Sequence, residues 1–254
     1  MHVGAYNDLE NEEIRRHFSG KIITGVELNT KVLGIPIEIL GYNINPNEMQ
    51  RQIDETYLSN SERNKVEVRI LYSKAIDTGI SLPDDFIEKY NGSIYGSKYF
   101  HSYIVKDESN RKFINEASWK DSNVFYREYM SNPNTQFFVD MDAYLPDFEK
   151  AVEIVHKAGG IVFIPHIFEY RENSNRILEY ILDNYKFEGI ECYYRNFSKE
   201  QTDFLLDICD RRKLFVSGGS DYHGRVKPNV KMGTGEGNLN VPNDIVENWK
   251  KVVI

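Results

Sequence analysis

Within residues 146–159 the apolar positions are Phe148, Ala151, Val152, Val155 and Ala158. That i, i+3, i+4, i+7 spacing predicts an amphipathic helix with one stripe turned to a core. Gly159-Gly160 follows at the point where glycine best closes a helix. The pattern then changes. Ile161-Val162-Phe163-Ile164 is a short unbroken apolar run, as expected of a strand buried on both faces. Helical spacing returns near residues 173–185, and Gly189-Ile190-Glu191-Cys192-Tyr193 reads as a second strand. Ser198-Lys199-Glu200-Gln201 is a capping box, and Phe204, Leu205, Ile208 and Cys209 continue that helix on one face. Leu214-Phe215-Val216 is a third strand. Strands alternating with helices at this spacing predict a parallel sheet, open or closed into a barrel.

Two more strands are expected near the N-terminus, at residues 21–29 and 35–42, paired through a Leu33-Gly34 turn. Between them and residue 146 the pattern is polar and helix-rich, with residues 47–78 reading as one long or broken helix. The expected organisation is a core built from residues 1–45 and 146–254, with residues 46–145 as a helical insertion or cap over the strand ends. A hydrophobic content of 41% with 13% aromatic residues in 254 suffices for a sizeable core and excludes a disordered chain. Lys+Arg of 31 against Asp+Glu of 39 leaves a net charge of −8. That balance argues against a duplex nucleic-acid coat or an anionic-membrane binder, which need a basic face. It leaves room for a small phosphorylated substrate. Apolar runs fall short of the ~18–20 residues of a membrane span, and no basic-then-apolar leader follows Met1. Cys192 and Cys209 have neither metal-ligand spacing nor a disulfide framework, so a cytoplasmic protein is expected.

In parallel α/β folds chemistry gathers at the carboxyl ends of the strands. That rule selects Pro165-His166 after one strand and Ser220-Asp221-Tyr222-His223-Gly224 after another, with Glu191 and Tyr193 ending the strand between. A carboxylate and an imidazole two residues apart make a common metal-ligand pair, and a glycine-rich turn with a capping Asp is the plainer alternative. His166 is read as a ligand rather than a satisfied structural group. Glu27 and Glu38 lie among apolar neighbours on strands, where a carboxylate needs a cationic partner, either a metal or an arginine. His101, Arg171, Arg195 and Arg225 are candidate substrate contacts. For His101 the alternative is an ordinary surface histidine, and for the arginines, as for Lys227, which could likewise bind phosphate, a solvated charge. His2, His17 and His156 are expected at the surface. No P-loop, dinucleotide fingerprint or serine elbow is present.

These segments together resemble the PHP family, named for polymerase and histidinol phosphatase domains. Gly25-Val26-Glu27 with Ile39-Leu40-Gly41-Tyr42 is similar to its G-[IV]-E strand and the strand after it. Ala158-Gly159-Gly160 through Pro165-His166 is similar to its segment ending Ala-His-Pro, with Pro-His here. Gly189-Ile190-Glu191-Cys192-Tyr193 and Gly218-Gly219-Ser220-Asp221-Tyr222-His223 resemble its GIE-x-Y and GSDxH motifs. The resemblance implies an α/β fold, a distorted (β/α)7 barrel with a multinuclear site for Mn, Zn or Fe. It also implies metal-dependent hydrolysis of phosphoesters such as nucleotides and short oligonucleotides. Carried over by motif, Glu27 would bridge two metals, His166 would complete the second site, Asp221 would bind the first metal and His223 the third. Glu38 stands where the family often has histidine, which favours a harder metal such as Mn. No catalytic residue beyond these ligands is implied.

The family's opening H-x-H strand and Asp-His motif are not found, so the expectation is a barrel incomplete at its N-terminus and weak or absent turnover. The alternative expectation is a non-catalytic PHP-like module that binds a phosphorylated ligand or a protein partner. A barrel open at that point would leave a strand edge near residues 22–28 unpaired and the faces of residues 161–164 and 214–216 uncovered. Self-association as a homo-oligomer is therefore expected.

Overall fold

The structure, a computed structural model, describes Arg16, residues 22–247 and Trp249. His2, His17 and Lys21 lie outside the described residues. In chain order the main elements are β1 (Gly25–Val32), β2 (Ile35–Tyr42), α1 (Pro46–Thr56), α2 (Asn60–Thr78), α3 (Gly96–Ile104), α4 (Phe148–Lys157), β3 (Ile161–Ile164), α5 (Ser174–Asn184), β4 (Gly189–Tyr194), α6 (Lys199–Arg212) and β5 (Phe215–Gly219). Two compact units result: the described parts of Met1–Glu55 with Leu145–Ile254, and Thr56–Tyr144.

The first unit is mixed α/β around a five-stranded sheet of order β1-β2-β3-β4-β5. β3, β4 and β5 run parallel, and β1, β2 and β3 pair antiparallel. The sheet is not closed among the described residues: β1 and β5 are its two edges, in place of the ring of strands that a barrel requires. The departure begins at the β1–β2 hairpin, a connection that needs no crossover helix. Leu33 (φ 54°) and Gly34 (φ 76°) make its tight turn, both with the positive φ that matches the twist of the flanking strands. β1 starts at Gly25, so Ile22, Ile23 and Thr24 precede the strand that residues 21–29 predict.

Alternation decides the two faces. Leu28, Thr30 and Val32 of β1, with Ile37 and Ile39 of β2, are buried on one face. Helix α4 packs there with Ala151 and Val155, and Asp147 caps it by accepting from Lys150 N at 2.9 Å. Gly41 permits this approach, since a Cβ at that position would stand 2.8 Å from Val155 Cγ1. The opposite face carries Leu40, Tyr42, Ile161, Phe163 and Phe215, packed with Val246 and Trp249. The Trp249 indole N–H donates to the Val216 carbonyl at 3.0 Å. Contrary to expectation, residues 161–164 are buried, with Val246 and Trp249 of the same chain packed on Ile161 and Phe163, whereas Leu214, Phe215 and Val216 are half-buried. The edge of β1 is also partly occupied, because Lys31 N and Thr30 Oγ1 both donate to the Pro146 carbonyl, at 3.2 and 2.9 Å. Those two contacts lie at residues 30 and 31, beyond the 22–28 stretch expected to be unpaired, and β1 remains an edge strand. Cys192 and Cys209 are buried free thiols with their sulfurs 3.6 Å apart.

His156, on the outer side of α4, faces Glu188 at 3.1 Å, and the same carboxylate accepts from Val162 N at 2.7 Å. The hydrogen bond to Glu188 raises the His156 pKa above its ordinary value. A raised folded-state pKa stabilises fully below the unfolded value, and the benefit is lost as pH rises through the folded one. As pH rises above the unfolded value of about 6.5, the melting temperature of the native chain should therefore fall more steeply than that of His156→Gln. Parallel slopes in calorimetry would refute the coupling.

The second unit contains no strand. Its core gathers Val68, Leu71 and Ala75 of α2 around Phe86, Phe100, Phe125 and Phe137. The helical run of residues 47–78 is two helices, because Ser59 caps α2 through a reciprocal capping box with Glu62. No helix among the described residues is long and apolar enough to cross a membrane.

Candidate metal centre

Glu27 and Glu38 stand on adjacent strands. β1 and β2 pair Glu27 with Leu40 and Asn29 with Glu38, which makes the two carboxylates diagonal neighbours on one face. His166 enters from the loop after β3. Its Nε2 lies 3.2 Å from Glu27 Oε1 and 3.3 Å from Glu38 Oε2. Asp221 and His223 enter from the loop after β5, with His223 Nδ1 at 3.1 Å from Asp221 Oδ1. Two donor sets result, Glu27–Glu38–His166 and Glu27–Asp221–His223, each with ligand atoms within 4.8 Å of one another.

The electrostatics favour a cation. Burial and then the charge of Glu27 push the Glu38 carboxyl above its usual range. For His166 burial alone would lower the pKa, but the hydrogen bond with Glu27 and the charges of Glu191, Glu38 and Glu27 outweigh it and leave the value raised. In the metal-free chain the ring is thus biased towards holding a proton among carboxylates, which a metal would displace on binding. His166 Nδ1 is buried without a hydrogen-bond partner. Carboxylate and imidazole donors at this spacing suit Mn, Zn or Fe, so the residues present fit a divalent ion.

Two ligand-type residues also carry backbone strain. His166 has φ 22° and Asp221 φ 52°, both in the left-handed region that side chains with a Cβ avoid. Arg171, in the turn after His166, has φ 52° as well. Such positions concentrate where a site over-determines the backbone. His166→Gly should therefore be more stable than His166→Ala by about 1 kcal/mol, although both remove the imidazole. Equal melting temperatures for the two variants would show that the strain at this position is negligible.

Sequence reasoning leaves Glu191, Tyr170 and Tyr194 of this site without a role, and reads Lys227 only as a phosphate contact or a solvated charge. Glu191 on β4 is 4% exposed, and its Oε2 accepts from His166 N at 2.9 Å. Burial pushes its carboxyl up to about 7. Tyr170 OH accepts from Glu38 N at 2.8 Å, and Tyr194 OH donates to Asp221 Oδ2 at 3.1 Å. Lys227 contacts the same Asp221 oxygen. The signal for Glu191 was available, since it too is a carboxylate inside an apolar strand run. The tyrosines carry no such mark.

The proposed substrate contacts separate. His101 is corrected: in the helical unit it is 8% exposed, with Nε2 2.7 Å from the Ser118 carbonyl and its ring against Phe125. It is a buried, satisfied histidine, neither at the surface nor free for a ligand. Arg195 lies along the Tyr194 ring and pairs with Glu236 at 3.2 Å, leaving its buried Nε without a partner. Arg171 and Arg225 are exposed.

No protein-family profile matches the chain. It is 23% identical over 234 residues to a 5'-3' exoribonuclease of Haemophilus influenzae, a match covering 91% of this chain and 78% of that protein. A crystal structure from Bifidobacterium adolescentis, described as a candidate metal-dependent phosphoesterase, superposes with a TM-score of 0.60 at 18% identity, over 100% of this chain and 84% of that one. An amidohydrolase from Chromobacterium violaceum, solved with bound sulfate and no metal, gives a TM-score of 0.53 at 20% identity, over 91% and 75%. The fold is shared with both.

Proposed function

We propose that this chain is a PHP-type phosphoesterase that hydrolyses nucleotides or short oligonucleotides with a divalent cation. The observation that carries this reading is the meeting of Glu27, Glu38 and His166 with Asp221 and His223 beside the ends of β3 and β5. The strained backbone at His166 and Asp221 supports it. So does the likeness to an exoribonuclease and to a phosphoesterase fold, both names that point to phosphate-ester substrates.

Glu27, Glu38 and His166 would hold the cation, which supplies charge stabilisation at phosphoryl oxygens and activation of water. Glu191 fixes the His166 backbone, and Tyr170 fixes that of Glu38. Tyr194 orients Asp221. Arg195 is the strongest candidate for a phosphate contact because its Nε–H is unused and its guanidinium is held against Tyr194. The exposed Arg171 and Arg225 follow Tyr170 and His223 closely in sequence, where positive charge draws a phosphate dianion towards an otherwise acidic site.

The test is a panel of 5'-phosphorylated oligoribonucleotides, mononucleotides and an aryl phosphate, each with Mn²⁺, Zn²⁺ or Fe²⁺ and with chelator. Release of phosphate or mononucleotide that depends on the metal and stops on chelation is expected. A folded chain that binds phosphate compounds yet turns over none would favour the non-catalytic module instead.

A further inference from the structure

The negative charge of the site is answered unequally. Glu27 and Glu38 share one imidazole, that of His166. Asp221 has Oδ2 doubly engaged, and its backbone carbonyl lies 3.0 Å from His223 Nδ1. Its Oδ1 faces His223 Nδ1 at 3.1 Å, and its Oδ2 receives the Tyr194 hydroxyl at 3.1 Å and the Lys227 ammonium. Lys227 is placed for this contact by a short turn. Gly224 at φ 55° starts a single 3₁₀ turn, closed by Val226 N donating to the His223 carbonyl at 3.1 Å, and the chain returns towards Asp221. The Asp221 side chain is only 14% exposed and that of Lys227 34%, so the pair is partly shielded from water.

An ammonium has three donors and no acceptor, so it can neutralise a carboxylate but cannot join it in ligating a metal. It is also tethered, which gives it a high effective concentration at Asp221 over any ion arriving from solution. A divalent ion bonded to Asp221 would be brought close to this like charge in a region of reduced screening. On these grounds we infer that Lys227 fills the cation position of the Glu27–Asp221–His223 donor set. The chain then takes one divalent ion, at Glu27, Glu38 and His166, and uses a fixed lysine where a second would sit. This rests on the metal-dependent reading above. It also assigns Lys227 a positioning role: it holds Asp221 and contributes a permanent positive charge beside the bound ion.

The experiment counts ions. The full native chain, Lys227→Met and Lys227→Arg are dialysed against Mn²⁺, and manganese per folded chain is measured by elemental analysis and by electron paramagnetic resonance. One ion is expected in the native chain and in Lys227→Arg, and two in Lys227→Met. Metal-free Lys227→Met should melt below the native chain, because Asp221 has lost its partner, and should gain more on adding Mn²⁺. Lys227→Gln is the second variant if Lys227→Met folds poorly. Two ions in the native chain would overturn this inference and leave the metal reading standing, as would a folded Lys227→Met or Lys227→Gln that still takes one. No ion in any of the proteins would overturn the metal reading itself, and this inference with it.

Discussion

Glu27→Gln is expected to weaken divalent-cation binding by at least ~10²-fold and to lower metal-dependent hydrolysis by a similar factor, since even groups behind a metal's direct ligands typically contribute 10–100-fold. Glu27 belongs to both donor sets, so its loss cannot be offset by the other set. Glutamine keeps the shape and removes the charge. The fold should survive, because the packed face of β1 is the other one, with Leu28, Thr30 and Val32. In the metal-free protein the loss of the His166–Glu27 charge pair opposes the relief of Glu38 and Glu191, so the melting temperature should move little. Titration calorimetry with Mn²⁺ and a thermal melt in chelator separate these effects. A variant that binds the ion as the native chain does would exclude Glu27 as a ligand.

The largest loss of stability is expected at Phe163→Ala, about 3–5 kcal/mol for an aromatic removed from a close-packed core. At roughly 2–4 °C per kcal/mol for a chain of this size, the melting temperature should drop by about 10 °C. Phe163 has no exposed surface. Its ring meets Tyr42 edge-on at 5.1 Å and Trp249 at 5.4 Å. The neighbouring strand is cut to fit it: a Cβ at Gly189 would lie 2.2 Å from Phe163 Cε1 and 2.7 Å from the Phe215 carbonyl oxygen. Gly189→Ala should therefore destabilise as well, by overpacking rather than by a cavity. A Phe163→Ala drop below ~3 °C would mean that the cavity collapses or that this face contributes little.

Local pattern made much of the first unit legible. The apolar stripe of residues 148–158, the capping box at Ser198 and the short apolar runs that open β3, β4 and β5 are signals within a few residues of the chain, and the structure forms those elements there. The Ser59-to-Glu62 capping box that divides residues 47–78 into α1 and α2 is itself a signal within four residues of the chain. The burial of His101 is not legible locally because its surroundings, Phe125 and the Ser118 carbonyl, come from residues 17 to 24 positions further along.

By itself the sequence determined which side chains could ligate a cation and where the strands and helices that carry them would form. Those properties depend on residue type and on periodicities of two or 3.6 residues. Only the tertiary structure decided which groups meet. Glu27 reaches His166 across 139 positions, and Glu191 reaches the His166 backbone across 25. The pairing of Lys227 with Asp221, the cover that Trp249 provides and the open arrangement of the described strands are likewise products of strand order. The physical reason is that burial, local dielectric and charge pairing are set by what packs alongside a residue. Strand register determines that neighbourhood, and no stretch of chain long enough to form a single element contains it.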